Sequence, residues 1–180
     1  MGCRGLRANL NLLMHLYNET TLKTQNNVRP LITAGFVLGV GMGGFIDGIL
    51  FHQILQIHSM LSNIVFPDTV VKTDINMFWD GLFNAFTWTM TFIGIMLLWN
   101  VIKNEATPKP TSVLVGSIIT GFGTFNLIEG VIDHHILKLH HVIQRAVDPV
   151  QLYWDLAYLA SGVILIFLGR YLIRSSFIRS

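Results

Sequence analysis

Residues 126–142, NLIEGVIDHHILKLHHV, set Glu129, Asp133, His134, His135, His140 and His141 in an otherwise apolar run. Neutral imidazole with carboxylate is a donor set for iron, zinc, copper, nickel or manganese, depending on geometry. Residues 44–60, GFIDGILFHQILQIHSM, carry a similar pattern 82 positions earlier. Ile46, Asp47, Gly48, His52, Ile54, Leu55 and His58 fall on Ile128, Glu129, Gly130, His134, Ile136, Leu137 and His140. The chain therefore reads as an internal duplication built on an acid, a glycine and two histidines. His135 and His141 replace Gln53 and Ser59 of the first copy, so the halves are expected to differ in their work.

A second pair of signatures follows these stretches: Phe78-Trp79-Asp80 and Tyr153-Trp154-Asp155, 75 positions apart. Each is expected to open a helix, with Trp in the interfacial belt and the acid in the first turn, where the helix dipole favours it.

The elements that position these groups follow from composition. The chain has 180 residues, of which 52% are apolar and 12% charged, which is too apolar for an ordinary soluble domain. Apolar runs at about 31–51, 78–99, 112–132 and 153–173 reach the ~20 residues a helix needs to cross a bilayer. The expected product is an all-α membrane protein, an up-down four-helix transmembrane bundle. It consists of two parallel two-helix repeats related by a pseudo-two-fold axis along the membrane normal. The domain spans residues 30–175, with repeats at about 30–103 and 111–175, between an N-terminal arm at 1–29 and a tail at 176–180.

Nine of the twelve basic residues lie in the arm, the middle connection and the C-terminal end; Lys72, Lys138 and Arg145 lie in the other two connections. The positive-inside rule then puts both termini in the cytoplasm and the histidine-bearing ends outside it. The partner this composition requires is the lipid bilayer; a formal net charge of +2 gives no ground for a nucleic-acid partner. Cys3 is the single cysteine and permits no internal disulfide.

Pro30 suits the first position of the first membrane helix. Gly35, Gly39 and Gly43 recur every four residues, and Gly44 and Gly48 repeat the spacing. Gly39, Gly41 and Gly44 also satisfy G-x-G-x-x-G, but inside a membrane helix such spacing serves close helix packing. Gly35, Gly39, Gly43, Gly48 and Gly130 are the packing candidates.

Depth sorts the ionisable residues. With the hydrocarbon ending near Phe51 and Ile132, a rise of 1.5 Å per residue puts Asp47 and Glu129 about 6 Å inside the boundary. His52 and His134 sit at it, and Asp80 and Asp155 enter from the same side. Asp47, His52, Asp80, Glu129, His134 and Asp155 are the expected metal-binding layer. His58 and His140 lie roughly 9 Å higher on straight helices. With Asp133, His135 and His141 they form an upper ring that binds, relays or delivers the ion. On one straight helix His52 and His58 cannot share an ion, so a shared site needs several helices or a broken one.

These motifs resemble the bacterial membrane protein family catalogued as domain of unknown function 2243. GFxLGxGxGGFxDGIxxHxxLQxHxML in the first helix, NxxEGxxDHHxLxxHHV in the third and the Trp-Asp starts carry the resemblance, over about residues 30–173. It implies a small four-helix protein of the bacterial inner membrane and brings no catalytic role with it.

The functional expectation is a transition-metal site near the extracytoplasmic face, with copper, iron and zinc not distinguished, serving metal handling or redox chemistry. A respiratory-chain or other membrane protein is the partner to which such a metal is delivered. Three other readings remain: a b-type haem electron carrier with His52 and His134 as axial ligands, a dinuclear-metal membrane oxidoreductase, and a polar network with a purely structural role.

Overall fold

The apolar runs become four membrane-length helices in a computed structural model, which describes residues 2–178. Helix α1 (Gly2–Phe45) continues into a π-helical segment, Ile46–Ile54. Helix α2 (Val70–Lys103) follows, then α3 (Thr111–Glu129) with its own π-helical continuation, Gly130–Ile136, and finally α4 (Val150–Ile178). The candidate spans are Val28–Ile54, Val70–Lys103, Thr111–Ile136 and Val150–Ile178. Met1 of the expected arm and Arg179 and Ser180 of the expected tail lie outside the described residues.

Three boundaries differ from expectation. Helix α1 runs through Pro30 instead of starting there, because residues 2–29 are already helical. Helix α2 starts at Val70, where the Thr69 side chain caps the Lys72 amide, so Asp80 lies ten residues inside the helix and not in its first turn. Helix α4 starts at Val150, which puts Asp155 in its second turn. The dipole argument for these two acids therefore fails, and their position needs another cause.

Helices α1 and α3 form the central pair, with α2 packed on α1 and α4 on α3. Glycine makes this approach possible. A Cβ on Gly39 would stand 2.0 Å from the Ile118 carbonyl oxygen, and one on Gly121 2.1 Å from that of Phe36. Backbone thus lies against backbone, the contact that holds membrane helices together where burial from water offers no gain. Gly35 and Gly43 line the same α1–α3 seam, Gly48 faces Asn84 of α2, and Gly130 faces Leu159 and Tyr158 of α4. Several hydroxyls along the spans satisfy themselves locally: those of Thr91, Ser117, Thr120 and Thr124 donate to carbonyls one turn back.

The bundle has two unlike ends. Val28, Leu31, Ala34, Val101 and Val113 make a buried apolar cluster at the end where α1 enters the span, with Phe177 packed against it. At the other end the buried residues are mostly acids and histidines, with Asn76 and Ser62 beside them.

Gly39→Leu is expected to force α1 and α3 apart and destabilise the protein by about 1–3 kcal/mol or more. Gly81→Ala, where an added Cβ meets nothing within 4 Å, should be neutral or stabilising by up to ~1 kcal/mol. Thermal unfolding in detergent compares the two; equal melting temperatures would contradict the close-packed seam.

Candidate metal centre

The site depends on where α1 and α3 stop being regular. In the first π-helical segment the ladder slips by a residue, and the Leu55 amide donates to the Leu50 carbonyl at 2.8 Å. Gln56 then adopts a φ of 50°, and the Ile57 amide donates back to Phe51 at 3.1 Å. The same sequence of bonds occurs 82 residues later: Leu137 to Ile132 at 2.7 Å, Lys138 at a φ of 50°, and Leu139 to Asp133 at 2.7 Å. A left-handed residue reverses the chain direction, so residues after it turn back toward the bundle.

The consequence corrects the layering expected from straight helices. His58 and His140 do not form an upper ring. Their rings stack at 4.5 Å between centroids with 7° between planes, and His58 lies 4.5 Å from the ring of His52. His140 lies 4.8 Å from His134. His52, His58, His134 and His140 thus form one group, each at most 3% exposed.

Outer ring nitrogens fix the orientation of these imidazoles. His58 Nδ1 donates to the Val142 carbonyl at 2.9 Å, and His140 Nδ1 to the Met60 carbonyl at 3.2 Å. His52 Nδ1 donates to Asp80 Oδ1 at 2.8 Å; His134 Nδ1 stands 3.5 Å from Asp155 Oδ1. A carbonyl can only accept, so the proton of neutral His58 and His140 sits on Nδ1 and leaves a lone pair on Nε2.

Those Nε2 atoms face two carboxylates. His52 Nε2 is 3.0 Å from Asp47 Oδ2, and His58 Nε2 is 3.7 Å from Asp47 Oδ1. His134 Nε2 and His140 Nε2 are 3.5 and 3.3 Å from Glu129 Oε1. Despite the short approach, Asp47 Oδ2 and the Nε2 atoms of His52, His58 and His134 are buried without an aligned hydrogen bond. With the Nδ1 protons of His52 and His58 directed outward, their Nε2 lone pairs face the Asp47 carboxylate acceptor to acceptor, which is costly unless a cation or an imidazolium proton lies between them.

Charge makes the same point. Asp47, Asp80, Glu129 and Asp155 are at most 5% exposed, and their ion pairs among the described residues are all with histidine. Ionised acids beside neutral histidines leave four buried negative charges. Two divalent cations or four imidazolium protons would balance them. Burial pushes the His140 imidazole below its ordinary pKa, toward the neutral form that ligates. Two groups of donor atoms converge to within 4.8 Å: His52, His58 and His140, and Glu129, His134 and His140.

Asp80 and Asp155 stand behind the histidines. Asp80 Oδ1 also accepts from the Met60 amide at 2.7 Å, and Asp155 Oδ1 from the Val142 amide at 2.9 Å. Each acid holds a histidine and the loop that delivers another, which accounts for their depth in α2 and α4. His141 Nδ1 pairs with Asp155 Oδ2 at 2.6 Å, at the edge of the group. His135 bonds its own helix at the Gly130 carbonyl, and Asp133 lines an apolar cavity; neither joins the central group.

The loops over the site are tied to each other. The Asn63 amide donates to Leu139 and the Gln144 amide to Ile57, while Asn63 and Gln144 also join through their side chains. Asn76, 1% exposed, supports this cover by accepting from the Leu61 amide and donating to the Val65 carbonyl. Sequence reasoning missed Asn76, and it missed Tyr158, whose hydroxyl donates to Glu129 Oε2. Tyr158 was accessible: the Trp-Asp offset of 75 pairs it with Phe83.

Fold and site together define an integral membrane protein of four apolar helices with a buried histidine–carboxylate group at one end. The family model described as Predicted membrane protein (DUF2243) matches residues 34–176, and the chain belongs to that family. No curated protein and no solved structure matches it.

Asp80→Ala should free the Met60 amide, speed its hydrogen exchange and destabilise the protein by about 1–3 kcal/mol. The exposed Lys72–Asp68 pair serves as the comparison: Lys72→Ala should leave the melting temperature unchanged. An unchanged Met60 amide in Asp80→Ala would contradict the anchoring role.

Proposed function

We propose that the protein binds two divalent transition-metal ions in this group, for metal handling or redox chemistry in the membrane. Asp47, His52 and His58 hold one, and Glu129, His134 and His140 the other, with His140 near enough to both. Asp80 and Asp155 orient the histidines from behind, as outer carboxylates do in metal–histidine sites. The observation that carries this reading is the pair of buried Nε2 atoms of His52 and His58 aimed at Asp47 without an aligned hydrogen bond, beside two groups of donor atoms that converge to within 4.8 Å. Nitrogen and carboxylate donors without thiolate suit iron, zinc, manganese or copper(II) over copper(I).

The matching bonds at Leu55 and Leu137, Ile57 and Leu139, and Met60 and Val142 support an internal duplication with a two-fold axis between α1 and α3. His58 and His140 reach across that axis, each to a carbonyl of the other half. A haem between His52 and His134 is disfavoured, since His58 and His140 fill that space, within 6.5 Å of both rings.

A dinuclear oxidoreductase is the second reading. A cavity of about 300 Å³ reaches Glu129 between walls that include Phe83, Phe86 and Phe125, space for an apolar substrate beside the ions. The charge distribution supports cytoplasmic termini in a bacterial inner membrane, the site facing outward, where a respiratory-chain or other membrane partner would receive metal or electrons.

Protein purified without a His tag, loaded with iron, zinc, manganese or cobalt and assayed by elemental analysis, should carry about two ions per chain. His52→Ala/His134→Ala should lose them, and His135→Ala should keep them. Folded wild-type protein that stays empty with every metal would leave the imidazolium network as the account of the site.

A further inference from the structure

The two halves of the site match closely in backbone but not in how their carboxylates are used. Asp47 turns both oxygens toward imidazoles, Oδ2 toward His52 at 3.0 Å and Oδ1 toward His58 at 3.7 Å. Glu129 turns only Oε1 toward His134 and His140; its Oε2 receives the Tyr158 hydroxyl. The residue 75 positions before Tyr158 is Phe83, which stacks on His52 at 5.7 Å and has no hydroxyl to offer.

The difference extends outward from Tyr158. Its hydroxyl is also 3.3 Å from Asn126 Oδ1, and the Asn126 amide donates to Ser161 Oγ at 3.1 Å. At the matching positions the first half has Gly44 and Phe86. A polar chain from Glu129 through Tyr158 and Asn126 to Ser161 therefore exists in the second half alone, among otherwise duplicated helices.

We infer that the two metal positions are inequivalent and that Tyr158 is the positioning residue that makes them so, by occupying Oε2 of Glu129. The inference rests on the metal-binding reading above. A carboxylate oxygen that accepts a phenol hydrogen bond has less charge and one lone pair fewer to direct at an ion. Glu129 then ligates through Oε1 alone, while Asp47 offers both oxygens. The ion beside Asp47 is held tightly, and the ion beside Glu129 is the weaker, exchangeable one. Such a pair suits a protein that retains one metal and passes on or reacts at the other.

The test uses the full chain in detergent, titrated with cobalt(II) and followed by its ligand-field absorption. Carboxylate stretching bands are recorded by infrared difference spectroscopy. Wild-type protein should bind in two resolved steps, with one carboxylate monodentate. Tyr158→Phe reproduces the side chain that the first half already accommodates at Phe83. It should tighten the weaker step by about tenfold, the scale on which outer hydrogen bonds tune metal sites, and convert the Glu129 band to the bidentate splitting. Asn126→Ala, which leaves the phenol on Glu129, should retain the two steps and the monodentate band. Two equivalent steps in wild type, or a Tyr158→Phe protein with unchanged affinities and bands, would overturn the inequivalence while leaving metal binding intact. Wild-type protein without cobalt bands would overturn the metal reading itself.

Discussion

Four carboxylates closed off against four imidazoles, at one end of a bundle whose outer surface is hydrocarbon, create a charge that has to be balanced inside the protein. No lysine or arginine among the described residues reaches them. Leaving such a charge unpaired costs several kcal/mol per ion, on the order of a whole domain's stability once summed. Protons or metal ions must therefore be part of the folded state. The surrounding structure serves that requirement: helices that slip into π geometry and reverse, acids in α2 and α4 that hold the reversed loops, and a cover of paired asparagine and glutamine side chains.

The rest of the bundle separates this polar end from an apolar one. Backbone contact at Gly39 and Gly121 draws α1 and α3 together, and those two helices with their π-helical continuations carry the inner carboxylates and His52 and His134. Helices α2 and α4 leave large apolar side chains such as Trp88, Phe92, Phe167 and Tyr171 on the outside, the face that suits lipid. The tight seam fixes the distance between the two halves of the group. A looser pair of helices would need long side chains to bridge it, with rotamer freedom that would blur the group's geometry.

Four apolar helices and the inner acids and histidines were readable in the sequence because both signals are local: run length for the helices, and an 82-residue echo for Asp47, His52, Glu129 and His134. The role of His58 and His140 was not. A straight helix carries them away from the layer, and what returns them is a left-handed turn at Gln56 and Lys138, residues without the glycine or proline that normally marks such a turn. The repeat marks Asp80 and Asp155, but their place comes from loop anchoring at Met60 and Val142 and not from a helix dipole at the first turn. Tyr158 carries no local signal, because a lone tyrosine in an apolar helix has no pattern of its own. Its meaning comes only from comparison with Phe83.

X-ray absorption at the metal edge tests the central claim most directly, on protein loaded with zinc or cobalt. Ions in the buried group give a nearest shell of nitrogen and oxygen at about 2.0–2.2 Å, with the outer-shell scattering of several imidazoles and no sulfur. A shell of water oxygens without imidazole scattering, or one that includes sulfur from Cys3 or a methionine, would put the metal elsewhere and contradict the account.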